Sequence, residues 1–241
     1  MAAKAWLTTG SFAFLRGLRK NNRKEWFEAH KPDYTRHVLD PLRAIASELD
    51  VRFATRAPEY EADARRSLFR IYRDVRFSKD KSPYKTHAAL WVYHRAPGRG
   101  VGKEIDGGAG FYLHLEPGAS IVAGGMWMPP RHSLAKIRDA LVKDLPGFKR
   151  AIGGTAFKTR FGGLSDDEPG VRLTRMPRGF AEGHPAAAWL RFNSFTVSTG
   201  YSDKEMLSPS LIDKAMQDFA LMLPLCRWLN GALGYPKATS R

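Results

Sequence analysis

Residues 110–128 read GFYLHLEPGASIVAGGMWM, and their period of two decides the fold class. Alternation sets Phe111, Leu113 and Leu115 on one face of a strand and Tyr112, His114 and Glu116 on the other. A second strand, Ser120 to Met128, follows across the short turn EPGA, so the pair is expected to form an antiparallel hairpin. Upstream, Phe69 to Phe77 and Ala88 to His94 carry the same signature, which gives four strands between Phe69 and Met128.

Helical spacing flanks this block. Phe14, Leu15 and Leu18, then Leu42, Ile45 and Leu49, recur at three and four residues, which predicts two or three helices over the N-terminal part. Ser11 is the expected N-cap there and Asn21-Asn22 the expected break. SLAKIRDALVKDL predicts a helix behind Ser133 that ends at Pro146-Gly147, FKTRFGGL reads as a short hairpin, and a last strand is expected around Phe192 to Val197. Ser202 to Glu205 is a capping box, and Ser208-Pro209 is expected to open a helix through Ile212, Met216, Phe219 and Leu223. No repeat or linker divides the chain. The expectation is one α+β domain over residues 1–241, a mainly antiparallel sheet of four or more strands flanked by N-terminal and C-terminal helices.

The chain has 241 residues, enough to bury a sizeable core, and 39 Lys and Arg against 24 Asp and Glu, a net charge of +15. Residues 1–100 hold 21 of these cations and 11 of the acids, so the N-terminal part supplies most of the excess. Such a balance attracts phosphates, nucleic acid or anionic surfaces. The single Cys226 sits in the apolar run LPLCRWL and is expected to be a buried thiol. With no disulfide, no signal peptide and no apolar run long enough to span a membrane, the expected location is the cytoplasm.

Most catalytic motifs fail on inspection. GRGVGK at 98–103 lacks the glycine that a P-loop needs at Pro97 and the Ser or Thr it needs at Glu104, and no helix follows to aim at a pyrophosphate. The stretch from Pro97 to Gly108 is therefore expected to be a mobile loop. The seven histidines form no HExxH or HxH pattern, so no metal and no cofactor is expected. There is no GxSxG elbow, and a buried Cys226 makes a poor nucleophile.

FRIYRDVRFSKDKSPYKTH, residues 69–87, is the unusual stretch. As a strand it places Arg70, Tyr72, Asp74 and Arg76 on one face, a polar ladder whose guanidinium forks suit phosphate or carboxylate, and leaves Arg73 on the apolar face in need of an acid. Lys79, Lys81 and Lys85 follow around a Ser-Pro-Tyr turn, which fits either a binding loop or an edge protected against aggregation. Gly124, Gly125 and Trp127 on the next strand would admit a ligand or a backbone, and Arg178 and His184 lie in a later turn-rich segment.

FRIYRDVRFSKDKSPYKTH, GFYLHLEPG, GGMWMP and PRGFAEGHP, in that order and behind an N-terminal FLRGLRKNNRKEWFEAHKPDY, resemble the family catalogued as domain of unknown function 2461. The resemblance covers most of the chain. It implies a single domain and brings no activity, substrate or catalytic residue with it. Three function classes stay open. The first binds an anionic ligand, phosphorylated or nucleic acid, through Arg70, Arg76, Lys79, Lys81 and Lys85, with Tyr72, Tyr84 and Trp127 as stacking surfaces. The second is an enzyme on a small anionic substrate, with proton transfer by Asp74, His114 or Glu116. The third is a scaffold without a ligand site. The oligomeric state is open as well.

Overall fold

The computed structural model describes residues 5–76, 78–102 and 105–238. Its centre is an antiparallel meander of five strands in the order β1-β2-β3-β4-β5: Tyr60–Glu61, Ala88–His94, Gly110–Leu115, Ser120–Met126 and Phe195–Tyr201. The expected hairpin is β3 and β4, in the register Leu113↔Val122 and His114↔Ile121. On its other side β3 meets β2, with Ala89 opposite His114 and Trp91 opposite Tyr112. β5 closes the far edge, Ser198 opposite Ala123.

One face of the sheet is covered by helices. Phe111, Leu113, Leu115, Val122 and Val197 are fully buried there. They pack under the N-terminal helix Asp40–Arg56 and the C-terminal helix Leu211–Leu233, with Phe53 and Phe219 centred 5.0 and 5.2 Å from the Phe111 ring. Gly124 faces the C-terminal helix, where an added Cβ would stand 2.8 Å from Met222 Sδ, so its small size serves helix packing. Buried polar groups pin that helix in register. Asn230 Nδ2 donates to the Ala109 carbonyl (3.0 Å) and to Tyr60 Oη (2.9 Å), its Oδ1 accepts from Ala109 N (2.8 Å), and Cys226 Sγ donates to the Gly110 carbonyl (3.4 Å). Burial pushes the Cys226 thiol well up, in keeping with the inert role expected of it.

Several expectations need correction. Residues 69–76 do not form a strand: single bridges join Leu68 to Leu90 and Tyr72 to Tyr84, and Phe77 lies outside the described residues. The facing segment carries Pro83, which has no N–H to extend a ladder, and the charges satisfy one another locally. Arg73 does find an acid, Asp80. Among the described residues three strands, not four, therefore lie between Phe69 and Met128, and the edge strand is the unforeseen Tyr60–Glu61.

FKTRFGGL belongs to a helix, Thr155–Phe161, because Phe157 and Phe161 meet on one face 5.1 Å apart and Gly162, at φ 74°, ends it. Pro146 and Gly147 lie in the first turn of a new helix, Leu145–Gly153, whose Asp144 cap accepts from Gly147 N (2.9 Å). The first helix, Thr9–Lys20, is capped at Thr8 with Ser11 at the third position, and the C-terminal helix at Ser210 instead of Ser208. The Ser202–Glu205 capping box is present as read. Lys103 and Glu104 of the Pro97–Gly108 loop lie outside the described residues; in the rest, the backbone folds back on itself, and a Cβ at Gly100 would stand 1.6 Å from the Asp106 carbonyl oxygen. Among the described residues no helix is long and apolar enough to cross a membrane.

Asn230→Ala strands buried groups of Ala109 and Tyr60 and is expected to lower the unfolding free energy by about 2–4 kcal/mol. Urea denaturation measures this, and a loss below about 0.5 kcal/mol would show the C-terminal helix held by apolar packing alone.

Candidate functional site

The second face of the sheet is the floor of a groove of about 690 Å³. The polar positions of β3 point into it, together with Trp91 from β2, Ile121 and Ala123 from β4, and Thr196 and Ser198 from β5. Phe69, Lys85, Trp127, Ser165, Asp167 and Glu168 complete its lining. The same alternation that buries Phe111, Leu113 and Leu115 under the helices therefore delivers Tyr112 and His114 to the groove.

A hydrogen-bonded chain runs along β3. Tyr112 Oη lies 2.9 Å from His114 Nδ1, and His114 Nε2 lies 2.9 Å from Glu116 Oε2. Arg19, from the first helix, pairs with the other oxygen of Glu116. Burial, with help from the Glu116 charge, pushes the Tyr112 phenol up to about 12, so it stays protonated.

His87, one residue before β2, stacks near His114 with ring centroids 4.3 Å apart. No described residue hydrogen-bonds its ring nitrogens. One donor atom each of His87, His114 and Glu116 lie within 4.8 Å of one another, a set with the chemistry of a metal-ligand group. Burial first, then the neighbouring His114, brings the His87 imidazole down to about 4.

Lys85 stands at the side of this cluster. Its ammonium lies 5.6 Å from the Phe69 ring centroid, and the Arg99 guanidinium lies 5.3 Å from the same ring. Burial lowers the pKa of Lys85, and the charges of Arg70 and Arg99 lower it further. No carboxylate pairs with Lys85 or Arg99 among the described residues. The Trp91 indole N–H is buried and likewise without a partner among them.

Of the residues read from sequence as ligand contacts, Lys85, His114 and Trp127 line the groove. The others do not. Tyr84 is buried, stacked on Phe27 with centroids 4.2 Å apart. Tyr72 is exposed beside it. Asp74 and Arg76 form a surface ion pair at 2.7 Å, which holds the Asp74 carboxyl down at about 2. Arg70 and Lys79 are exposed, and Lys81 Nζ caps the Val75 carbonyl (3.0 Å). Arg178 and His184 lie outside the groove lining.

The sequence reading missed His87, Trp91, Ser165, Asp167 and Glu168 in the lining, and Arg99 on the Phe69 ring. His87 was legible in principle. Ala88 pairs with Leu115, so the residue before it continues the ladder beside Glu116, but that register appears only once β2 and β3 are aligned.

His87 is expected to titrate near pH 4 in a proton NMR titration, below the ordinary histidine value of about 6.5. Its folded pKa is depressed, so the unfolded chain binds the proton more readily. Its contribution to stability is full above pH 6.5 or so and is lost as pH falls from there toward 4. His87→Gln should flatten that part of the stability profile, and a midpoint near 6.5 would show a fully hydrated ring.

No curated protein and no solved structure matches the chain. A family model matches residues 10–228, and it carries the description conserved hypothetical protein (DUF2461). With nearly the whole fold covered, the chain belongs to this DUF2461 family.

Proposed function

We propose that the groove binds a small organic anion, whose charged group is held at Lys85 and whose body lies against the aromatic wall. The carrying observation is Lys85 itself: a half-buried ammonium beside Arg99 on one phenyl ring, repelled by its cationic neighbours and paired with no acid among the described residues. An anion bound at Lys85 offsets the repulsion that its cationic neighbours exert on it. The groove volume, about 690 Å³, suits a molecule of metabolite size. Phe69, Trp91, Tyr112 and Trp127 supply flat apolar surface.

A nucleic-acid strand laid along Arg70 and Arg76 has less support, since Arg76 is committed to Asp74 and neither arginine lines the groove. The Tyr112–His114–Glu116 chain favours catalysis over storage of the ligand. A hydrogen-bonded imidazole and carboxylate beside a bound anion can pass a proton to or from it.

Calorimetry with phenyl phosphate, inorganic phosphate and short single-stranded DNA tests the reading. Phenyl phosphate is expected to bind more tightly than phosphate and with shallow salt dependence. Lys85→Ala should weaken it about tenfold or more, some 1.4 kcal/mol, and Arg76→Ala should leave it within about twofold. Tight DNA binding with a steep salt slope, lost equally in both variants, would replace the groove by a surface interface.

A further inference from the structure

We propose that His87, His114 and Glu116 hold one divalent transition-metal ion, of the zinc or iron(II) class, at the floor of the groove. The three residues come from adjacent ends of β2 and β3. Ala88 faces Leu115 and Ala89 faces His114, so His87 and Glu116 are brought side by side one step past the last pair. Their donor atoms, with that of His114, lie within 4.8 Å of one another. Metal bonds to nitrogen and oxygen of about 2.0–2.2 Å place ligand atoms roughly 3–3.5 Å apart, so small side-chain rotations close the site.

Each ligand is prepared in a different way. Tyr112 Oη fixes the His114 ring through Nδ1 at 2.9 Å, which turns Nε2 toward Glu116. This is the outer hydrogen bond that metal-bound histidines generally make. Arg19 occupies one oxygen of Glu116 and leaves Oε2 for the ion. With the ion bound, His114 would be the neutral tautomer protonated on Nδ1 and donating to Tyr112 Oη, so that Nε2 and Glu116 Oε2 both turn lone pairs to the metal. His87, a ring with no hydrogen-bond partner among the described residues, has a nitrogen lone pair available to the ion.

Two imidazoles and one carboxylate select a borderline transition metal over magnesium or calcium, which prefer all-oxygen sites. Three protein ligands leave coordination positions open. His87 and His114 both line the groove, so those positions face the ligand. Lys85 lines the same groove as His87 and His114, so an anion on the metal shares that groove with the ammonium. What the ion would do there rests on the groove being the ligand site; its binding does not, and is measured with metal alone.

Chelator-stripped protein titrated with Co²⁺ should show visible d–d absorption saturating at one ion per chain, with elemental analysis after dialysis against Zn²⁺ giving the same ratio. His87→Ala, His114→Ala and Glu116→Gln should each weaken the ion at least about tenfold, and Tyr112→Phe, which touches only the outer bond, by a smaller factor. His132→Ala, a histidine outside the groove lining, should change nothing. Thermal melts of the metal-free variants establish that they fold, with His87→Gln or His114→Gln replacing the corresponding alanine variant if it does not. Absorption that persists in folded His87 and His114 variants, or wild-type protein that takes up no Co²⁺, would overturn the site. Phenyl phosphate binding without Co²⁺ uptake would sink the metal alone, and Co²⁺ uptake without phenyl phosphate binding would sink the anion reading alone.

Discussion

The structure depends on the strict two-sidedness of β3. Its odd positions, Phe111, Leu113 and Leu115, are fully buried under the helices, while Tyr112 and His114 face a groove. A slip of one residue in the pairing with β2 or β4 would exchange the two sets, sending three large apolar side chains to the groove and an imidazole and a phenol into the core. The cost of such an exchange, several kcal/mol for the apolar groups alone, is what fixes the register. The position of the candidate site is thus a by-product of core formation.

The groove gathers opposed charges without neutralising all of them. Glu116 is satisfied twice, by Arg19 and by His114, whereas Lys85 and Arg99 share a ring and repel one another. Exposed pairs elsewhere, such as Asp74 with Arg76, are ordinary surface contacts that contribute little to stability. A partly buried cation without a counter-ion is the more informative feature, because folding alone gives no reason to keep it there.

The lysine and arginine run that dominates the sequence turns out to be divided by the fold. Its first half, Arg70 to Arg76, stays on the surface, where its charges meet local partners such as Asp74 and Asp80. Its end, Lys85 to His87, enters the groove as the chain approaches β2. Pro83 lies in the segment facing Arg73 and accepts a hydrogen bond from its N–H (2.9 Å), but it has no N–H to donate in return. Alternation of residue types suggested a strand here; a strand also needs a partner able to complete the ladder, and that partner is set by the fold.

The class of fold and the two faces of the central hairpin are legible in the residues alone, because period-two patterning and turn chemistry act between neighbours in the chain. The residues also determined that Cys226 would be buried, that Arg73 would require an acid, and that Ser202 with Glu205 would cap a helix. FKTRFGGL was misread because a seven-residue helix and a short hairpin share the same apolar spacing until packing of Phe157 on Phe161 separates them. Of the site, His114, Lys85 and Trp127 were legible as charged or aromatic side chains near strand ends. That His87 stands beside Glu116, that Arg99 shares the Phe69 ring with Lys85, and that Ser165, Asp167 and Glu168 line the groove follow from the tertiary fold alone. Those contacts join residues far apart in the chain, and their geometry is set by strand register and sheet twist, which no local pattern encodes.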